Sequence, residues 1–111
     1  MIAKLSVFTL VVAILLAIAP VSARADVAAG KHTAETVCQT CHGMDGIATS
    51  PVAANLSGQQ EMYLKIQLEH YRSGVRQDAQ MSIIAQMLSD EDIANVSAYY
   101  SSIKITVEMP E

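Results

Sequence analysis

Apolar residues recur at helical spacing in three stretches of the chain, and this periodicity predicts an all-α fold. The first stretch predicts a helix over residues 28–40, with Ala29, Ala34 and Val37 facing inward. Residues 43–55 are rich in Gly, Ser, Thr and Pro, which is typical of a loop. Because no convincing alternation of Val, Ile and Thr follows residue 25, we expect no β-sheet.

Two further helices are predicted from their end signals. Ser57 and Gln60 fit a capping box that opens the second helix, and Gly74 is placed to end it in the C′ position. Ser89, followed by three acidic residues, opens the third helix, which runs to Ser102. The apolar positions expected to face the core are Met62 and Ile66 in the second helix, and Ile93, Val96, Tyr100 and Ile103 in the third.

The first 25 residues have the pattern of a secretory signal peptide. A short basic start precedes the apolar run from Leu5 to Ala19, and Ala23-Arg24-Ala25 has the small-x-small pattern of a signal-peptidase site. The alternative is a retained membrane anchor, but a spanning helix needs about 20 apolar residues. We therefore expect a signal peptide over residues 1–25 and one mature domain over residues 26–111.

Charge and size narrow the function of that mature domain. The full chain has a formal net charge of −4, and loss of Lys4 and Arg24 would leave five basic against eleven acidic residues, a charge of −6. Nucleic-acid binding needs clustered Lys and Arg, so we exclude it, whereas an acidic surface favours a basic protein partner. The mature domain has no Trp or Phe. We therefore expect a cofactor, metal or disulfide to complete its small core.

Both cysteines of the chain lie in one pentapeptide, Cys38-Gln39-Thr40-Cys41-His42, which is the attachment signature of c-type haem. On a helical turn the two thiols point the same way and can add to the two vinyl groups on one side of the porphyrin. His42 then places an imidazole under the iron. A zinc site would need further ligands, a thioredoxin-like dithiol would need a βαβ context, and a plain disulfide would need only an oxidising compartment. We expect one covalently attached haem c.

A second axial ligand must come from far enough along the chain to pass around the porphyrin edge. Met81 follows a polar, non-periodic stretch, residues 72–80, and can lie on a loop pressed against the iron. Met87 is the alternative, although it falls in what looks like a buried helical turn. Three other methionines are too close to His42, fit a core stripe, or lie in a terminal tail: Met44, Met62 and Met109.

Over nearly all of residues 26–111 the chain resembles the class I c-type cytochromes, and among them the small c-four type. Beyond the attachment signature, the motifs that carry this resemblance are Asn55-Leu56-Ser57-Gly58-Gln59, Tyr71-Arg72-Ser73-Gly74-Val75-Arg76, Met81 and Leu88-Ser89-Asp90-Glu91-Asp92-Ile93. The resemblance implies a cytochrome c-like fold of three to four short helices wrapped around one haem. It also implies His42 as the proximal and Met81 as the distal iron ligand.

The same resemblance implies two contacts outside the attachment signature, and the pairing of arginine with carboxylates indicates a third. Gly30 would lie where the first and last helices cross, facing Val96 and Tyr99. The family usually has a proline whose carbonyl accepts a hydrogen bond from the proximal imidazole. This chain has Ala54 there, and an alanine carbonyl can accept the same bond. Arg76 either pairs with a haem propionate or lies at the surface.

These features together predict a periplasmic electron carrier and not an enzyme. One electron moves at an iron with both axial positions filled, so no substrate is transformed. The partners would be redox proteins, a donor and an acceptor, with membrane association only through docking to respiratory complexes. Three alternatives stay open: the cytochrome subunit of a periplasmic dehydrogenase, a haem sensor or enzyme with an open iron, and a dithiol module without haem.

Overall fold

The computed structural model describes residues 23–111, so most of the predicted signal peptide lies outside the described residues. This part of the chain is helical and contains no strand, which confirms the predicted fold class. The helices are α1 (Val27–Thr33), a π-helical turn (Ala34–Cys38), α2 (Gln39–His42), α3 (Glu61–Ser73), α4 (Met81–Gln86) and α5 (Asp90–Ser102). None of the helices between residues 23 and 111 has the length and apolar run that a bilayer crossing requires.

The first predicted helix is confirmed and is longer than expected, because α1, the π-helical turn and α2 follow one another without a break. Asp26 caps its start, since the Asp26 carboxylate accepts hydrogen bonds from the backbone N–H groups of Ala28 (2.8 Å) and Ala29 (3.1 Å). Ala34 is fully buried, as predicted, whereas Val37 is only half-buried. The π-helical turn ends at Cys38, so the helix widens where the cysteine pair begins.

The predicted capping box at Ser57 is wrong. Helix α3 begins at Glu61, and its N-cap residue, Gln60, makes no side-chain cap. The backbone around Ser57 is bound elsewhere: the Ser57 N–H donates to the Gly46 carbonyl (3.2 Å), and the Gly58 N–H donates to the Tyr100 carbonyl (3.0 Å). These tertiary bonds hold residues 57–58 in a turn, which a local sequence signal cannot reveal.

The inward face of α3 also differs from the prediction. Met62 is 64% exposed and Ile66 is exposed as well, whereas Leu64 is buried and Leu68 packs against the core. Apolar residues lie on both sides of this helix, so periodicity alone did not show which side meets the other helices. The end of the helix follows the prediction, because Gly74 adopts the left-handed conformation (φ 84°) after Ser73.

The last helix, α5, agrees with its prediction in both its start and its buried stripe. Ser89 and Asp92 form a reciprocal capping box, and these hydrogen bonds hold the pKa of Asp92 below its usual value. Ile93, Val96 and Tyr100 are buried along one stripe. Two of them join residues of the other helices in the hydrophobic core, which consists of Ala34, Leu64, Val96 and Tyr100.

Helices α1 and α5 cross at Gly30. A Cβ atom at this position would lie 1.9 Å from the backbone oxygen of Asn95 and 3.0 Å from the Tyr99 Cβ. The expected close approach is therefore present, with Asn95 in the place that the resemblance gave to Val96. Glycine is disfavoured inside a helix, so the close packing of α1 against α5 is the reason for a glycine at this position.

We predict that Gly30→Ala destabilises the protein by about 3 kcal/mol, because a methyl group cannot fit against the Asn95 carbonyl unless the helices separate. The measurement is the free energy of unfolding from urea titration of the haem-loaded protein. Lys31→Ala, at an exposed position of the same helix, is the matched control and should change stability by less than about 0.5 kcal/mol. A Gly30→Ala variant that is more stable than the parent would contradict the crossing, since alanine is the better helix former.

Candidate functional site

A cavity of about 320 Å³ lies between the first helix, the loop after it, α3, α4 and α5. Most of its wall is apolar, with Leu64, Leu68 and Ile84 from two helices and Val96 from the last. Polar side chains interrupt this surface at several points, among them His42, Asn55, Gln67 and Arg76. Such a pocket suits a large, flat and mainly apolar group that is oriented by a small number of polar contacts.

The four residues predicted as the site all lie on the wall of this cavity: Cys38, Cys41, His42 and Met81. The first three come from the end of the first helix, and Met81 comes from the start of α4, 39 positions beyond His42. Among residues 23–111, no other methionine lines the cavity. The fold thus brings together residues that the sequence separates widely.

His42 is held in one orientation by a backbone group. Its Nδ1 lies 2.7 Å from the carbonyl oxygen of Ala54, which confirms the bond expected for the alanine in place of the family's proline. A carbonyl can only accept, so the proton of a neutral imidazole is on Nδ1 and the lone pair is on Nε2. A hydrogen bond to the ring nitrogen that does not bind the metal fixes the tautomer of a metal-binding histidine and raises its basicity.

The loop that carries Ala54 is held in place without a proline at that position. The backbone N–H of Thr49 donates to the Cys41 carbonyl (2.9 Å), at the end of the first helix. The Asn55 side-chain oxygen accepts from the backbone N–H of Ala48 (2.7 Å) across the loop. These two bonds explain how an irregular segment can present a carbonyl to His42.

Met81 begins α4, which corrects the expectation that it lies on a loop. Its backbone N–H donates to the Asp78 carboxylate (2.8 Å), which also accepts from the N–H of Gln80 (2.9 Å). These two hydrogen bonds, with a smaller contribution from Arg76, hold the pKa of Asp78 below its usual value. The position of Met81 is therefore fixed by the start of α4, where the Asp78 carboxylate accepts two backbone hydrogen bonds.

Met87, the alternative methionine, is also placed differently from the prediction. It follows α4 and is 65% exposed, whereas its neighbours Ala85 and Leu88 are buried. Met87 therefore belongs to neither the core nor the cavity wall.

Arg76 lines the cavity and, among residues 23–111, is the one Lys or Arg that does so. Its guanidinium carbon lies 4.6 Å from the centre of the Tyr71 ring, and its Nη1 donates to the Gln67 side-chain oxygen (2.7 Å). Gln67 and Tyr71 line the same cavity. Arg76 is exposed and also borders the cavity, so its position is compatible with both roles, and its pairing with a propionate stays a prediction.

The chemistry of the wall fits a covalently attached haem. Cys38 and Cys41 are free thiols, and burial raises the pKa of the Cys38 thiol to about 11, so this sulfur carries no charge into an apolar pocket. Ser97 Oγ is buried on the wall without a hydrogen-bond partner among residues 23–111, which a polar substituent of a bound group could supply. Over the same residues no group of three or more His, Cys, Asp or Glu is arranged to hold a metal ion.

Two neighbouring tyrosines, which sequence reasoning did not assign to the site, tie α5 to the residues just after His42. The buried Tyr100 hydroxyl donates to the Gly43 carbonyl (2.9 Å), and the Tyr99 hydroxyl donates to the Met44 carbonyl (2.8 Å). Burial, more than nearby charges, raises the pKa of both phenols. A buried tyrosine generally needs a hydrogen-bond partner, so Tyr100 in the predicted inward stripe was the available signal.

We predict that Tyr100→Phe costs about 1–3 kcal/mol of stability, because the buried Gly43 carbonyl loses its partner. Tyr99→Phe removes a similar bond at a less buried position and should cost about 1 kcal/mol. The measurement is the free energy of unfolding by guanidinium titration. Equal and negligible losses for the two variants would show that these bonds do not hold the segment.

A family model described as cytochrome c matches residues 27–104. The matched range includes all four predicted site residues and every helix between residues 23 and 111. The match therefore concerns the whole described fold and not the attachment signature alone.

Individual relatives are similar over most of the described chain. Cytochrome c-554(548) from Halomonas halodenitrificans is 48% identical over 80 residues, covering 69% of this chain and 95% of that protein. The crystal structure of reduced cytochrome c4 from Pseudomonas stutzeri superposes with a TM-score of 0.67 at 35% identity, covering 75% of this chain and 48% of that one. Thiosulfate dehydrogenase from Marichromatium purpuratum gives a TM-score of 0.66 at 36% identity, covering 70% of this chain and 19% of that one. The chain thus spans a little under half the length of the cytochrome c4 that it matches.

Proposed function

The chain belongs to the cytochrome c family, and on that basis we propose that its mature part is a periplasmic carrier that passes one electron between two redox proteins. The cofactor is haem c, whose iron supplies the chemistry by alternating between Fe(III) and Fe(II). The observation that carries the proposal is the meeting of Cys38, Cys41, His42 and Met81 on one cavity wall.

In this proposal each of the four residues has a distinct role. Cys38 and Cys41 form the thioether bonds, and the two half-buried sulfurs are already at the cavity. His42 presents Nε2 as a ligand because its Nδ1 proton is engaged by Ala54. Met81 contributes a neutral sulfur, which favours the reduced iron compared with a second imidazole.

The wall around these ligands limits what else can reach the iron. Its apolar side chains keep water away and so reduce the solvent rearrangement that accompanies a change of charge. Arg76 brings a full positive charge to the wall, which suits the carboxylates of a haem. These features support electron transfer, and the presence of Met81 on the wall disfavours a sensor with an open iron.

A second candidate keeps the same chemistry but makes the chain a subunit of a dehydrogenase. Its support is the similarity to part of a thiosulfate dehydrogenase, of which this chain covers 19%. The similarity to a cytochrome that this chain covers over 95% of its length favours the independent carrier. In either arrangement the mature charge of −6 favours a partner with a basic docking surface.

Location outside the cytoplasm rests on residues 1–25, of which residues 1–22 lie outside the described part of the chain. Residues 23–26 precede α1 without regular secondary structure, and Ala23 and Arg24 are exposed. A peptidase could therefore cut after Ala25 without disturbing a helix. We propose that the mature domain is residues 26–111.

We predict that Met81→Ala removes the weak sulfur-to-iron absorption band of the oxidised protein, lowers the reduction potential and lets the reduced protein bind carbon monoxide. The physical reason is loss of the distal ligand and an open coordination position. Absorption spectroscopy, redox titration and carbon monoxide titration measure the three effects.

Met87→Ala is the matched control because Met87 is exposed and lies off the cavity wall. It should keep the band and the potential and should change stability by less than about 0.5 kcal/mol. If Met87→Ala abolishes the band and Met81→Ala leaves it intact, the ligand assignment is wrong.

We also predict that the protein recovered from the periplasm begins at Asp26, because the small residues Ala23 and Ala25 are accessible before the first helix. N-terminal sequencing and intact mass of the haem-loaded protein measure this. Recovery of a membrane fraction that still begins at Met1 would contradict the proposed export and cleavage.

A further inference from the structure

Asp26, the residue that would follow the proposed cleavage site, is bound to the last helix. Its backbone nitrogen donates to Asn95 Oδ1 at 2.7 Å, a contact between residues 69 positions apart. Its carboxylate caps Ala28 and Ala29, and its carbonyl accepts from the Gly30 N–H at 2.9 Å. Asp26 is thus held by its backbone and its side chain, although the chain before it is irregular and exposed.

Asn95 is well placed to bind whatever group the Asp26 nitrogen carries. It is buried, with 6% of its surface exposed, and its own backbone carbonyl fills the space beside Gly30. Asp26 and Gly30 are one helical turn apart, so Asn95 meets the first helix at two successive turns. The Asn95 backbone is fixed by the crossing of α1 and α5, and burial limits the movement of its side chain.

We propose that removal of residues 1–25 converts the Asp26 nitrogen into an α-ammonium that donates to Asn95 Oδ1 and strengthens the junction of the first and last helices. The proposal rests on the proposed export. Hydrolysis adds one water across the Ala25–Asp26 peptide bond: Ala25 leaves as a carboxylate and the Asp26 amine takes up a proton. Processing by a signal peptidase then stabilises the fold as well as releasing the protein.

Two electrostatic effects oppose each other at this amine. A hydrogen bond from a charged donor is stronger than one from a neutral amide, which favours the processed form. A positive charge at a helix N-terminus is unfavourable because it adds to the positive end of the helix dipole. The adjacent Asp26 carboxylate, already capping the helix, offsets that second effect. With Asn95 present, the hydrogen bond should prevail.

Acetylation of the amine tests the proposal, because it removes the charge but keeps one N–H donor. The haem-loaded protein is produced with a foreign leader whose cleavage leaves Asp26 first, and it is compared with its N-acetylated form by urea unfolding. We expect acetylation to reduce the folding equilibrium constant about three- to tenfold. An ordinary helix would respond in the opposite direction, since acetylation removes an unfavourable charge.

Asn95 variants separate this contact from general effects of the N-terminus. In Asn95→Ala, acetylation should leave the folding equilibrium unchanged or favour folding. In Asn95→Asp, which keeps an acceptor and serves if Asn95→Ala fails to fold, the loss on acetylation should exceed that of the parent. A form that begins at Ala25, with an amide at Asp26, should behave like the acetylated protein. Acetylation that leaves the parent unchanged or stabilises it would overturn the proposal, whatever N-terminus the native leader yields.

Discussion

Asn95 contacts the first helix through its backbone and its side chain, and this contact joins two helices that both line the haem cavity. Its carbonyl takes the place of a side chain at Gly30, which lets α1 and α5 approach closely. One of these helices continues to Cys38, Cys41 and His42, and the other carries Val96 and Tyr100 of the cavity wall. The two helices that cross at Gly30 and Asn95 therefore both contribute side chains to the cavity.

Backbone carbonyls accept several of the hydrogen bonds around the attachment signature. The Gly43 and Met44 carbonyls accept from the two tyrosines of α5, and the Cys41 carbonyl accepts from Thr49. Each bond ties the loop over residues 43–55 to a helix. A segment without regular structure can therefore position Ala54 opposite His42, because its start and its middle are bound to helices and Asn55 binds Ala48 across the loop.

The parts of the fold that sequence reasoning predicted well are those with a local cause. Gly74 ends a helix because it can adopt a left-handed conformation, and Ser89 starts one because its hydroxyl caps the next turn. Ser57 carries an equally good local signal but does not cap a helix, because hydrogen bonds to distant residues hold this segment in a turn. Local chemistry predicted a helix end only where no tertiary contact competed with it.

The same contrast between local causes and tertiary contacts applies to the candidate site. The pentapeptide and its chemistry are visible in the sequence, whereas the sequence preferred Met81 to Met87 on local grounds, a loop and a buried turn, that the fold corrects. Met62 was assigned to the core because its spacing is helical, yet it faces solvent while Leu64 is buried. When apolar residues occupy both sides of a helix, only the positions of the neighbouring helices decide which side is covered.

The bond between His42 and Ala54 has a consequence for how the sequence can change over time. The acceptor is a main-chain oxygen, and every amino acid has that atom. No substitution at position 54 can therefore remove the acceptor itself. A change from proline to alanine at this position can therefore leave the hydrogen bond to the His42 imidazole unchanged. A mutational scan that reads side chains one at a time would record position 54 as unimportant, although the imidazole depends on it.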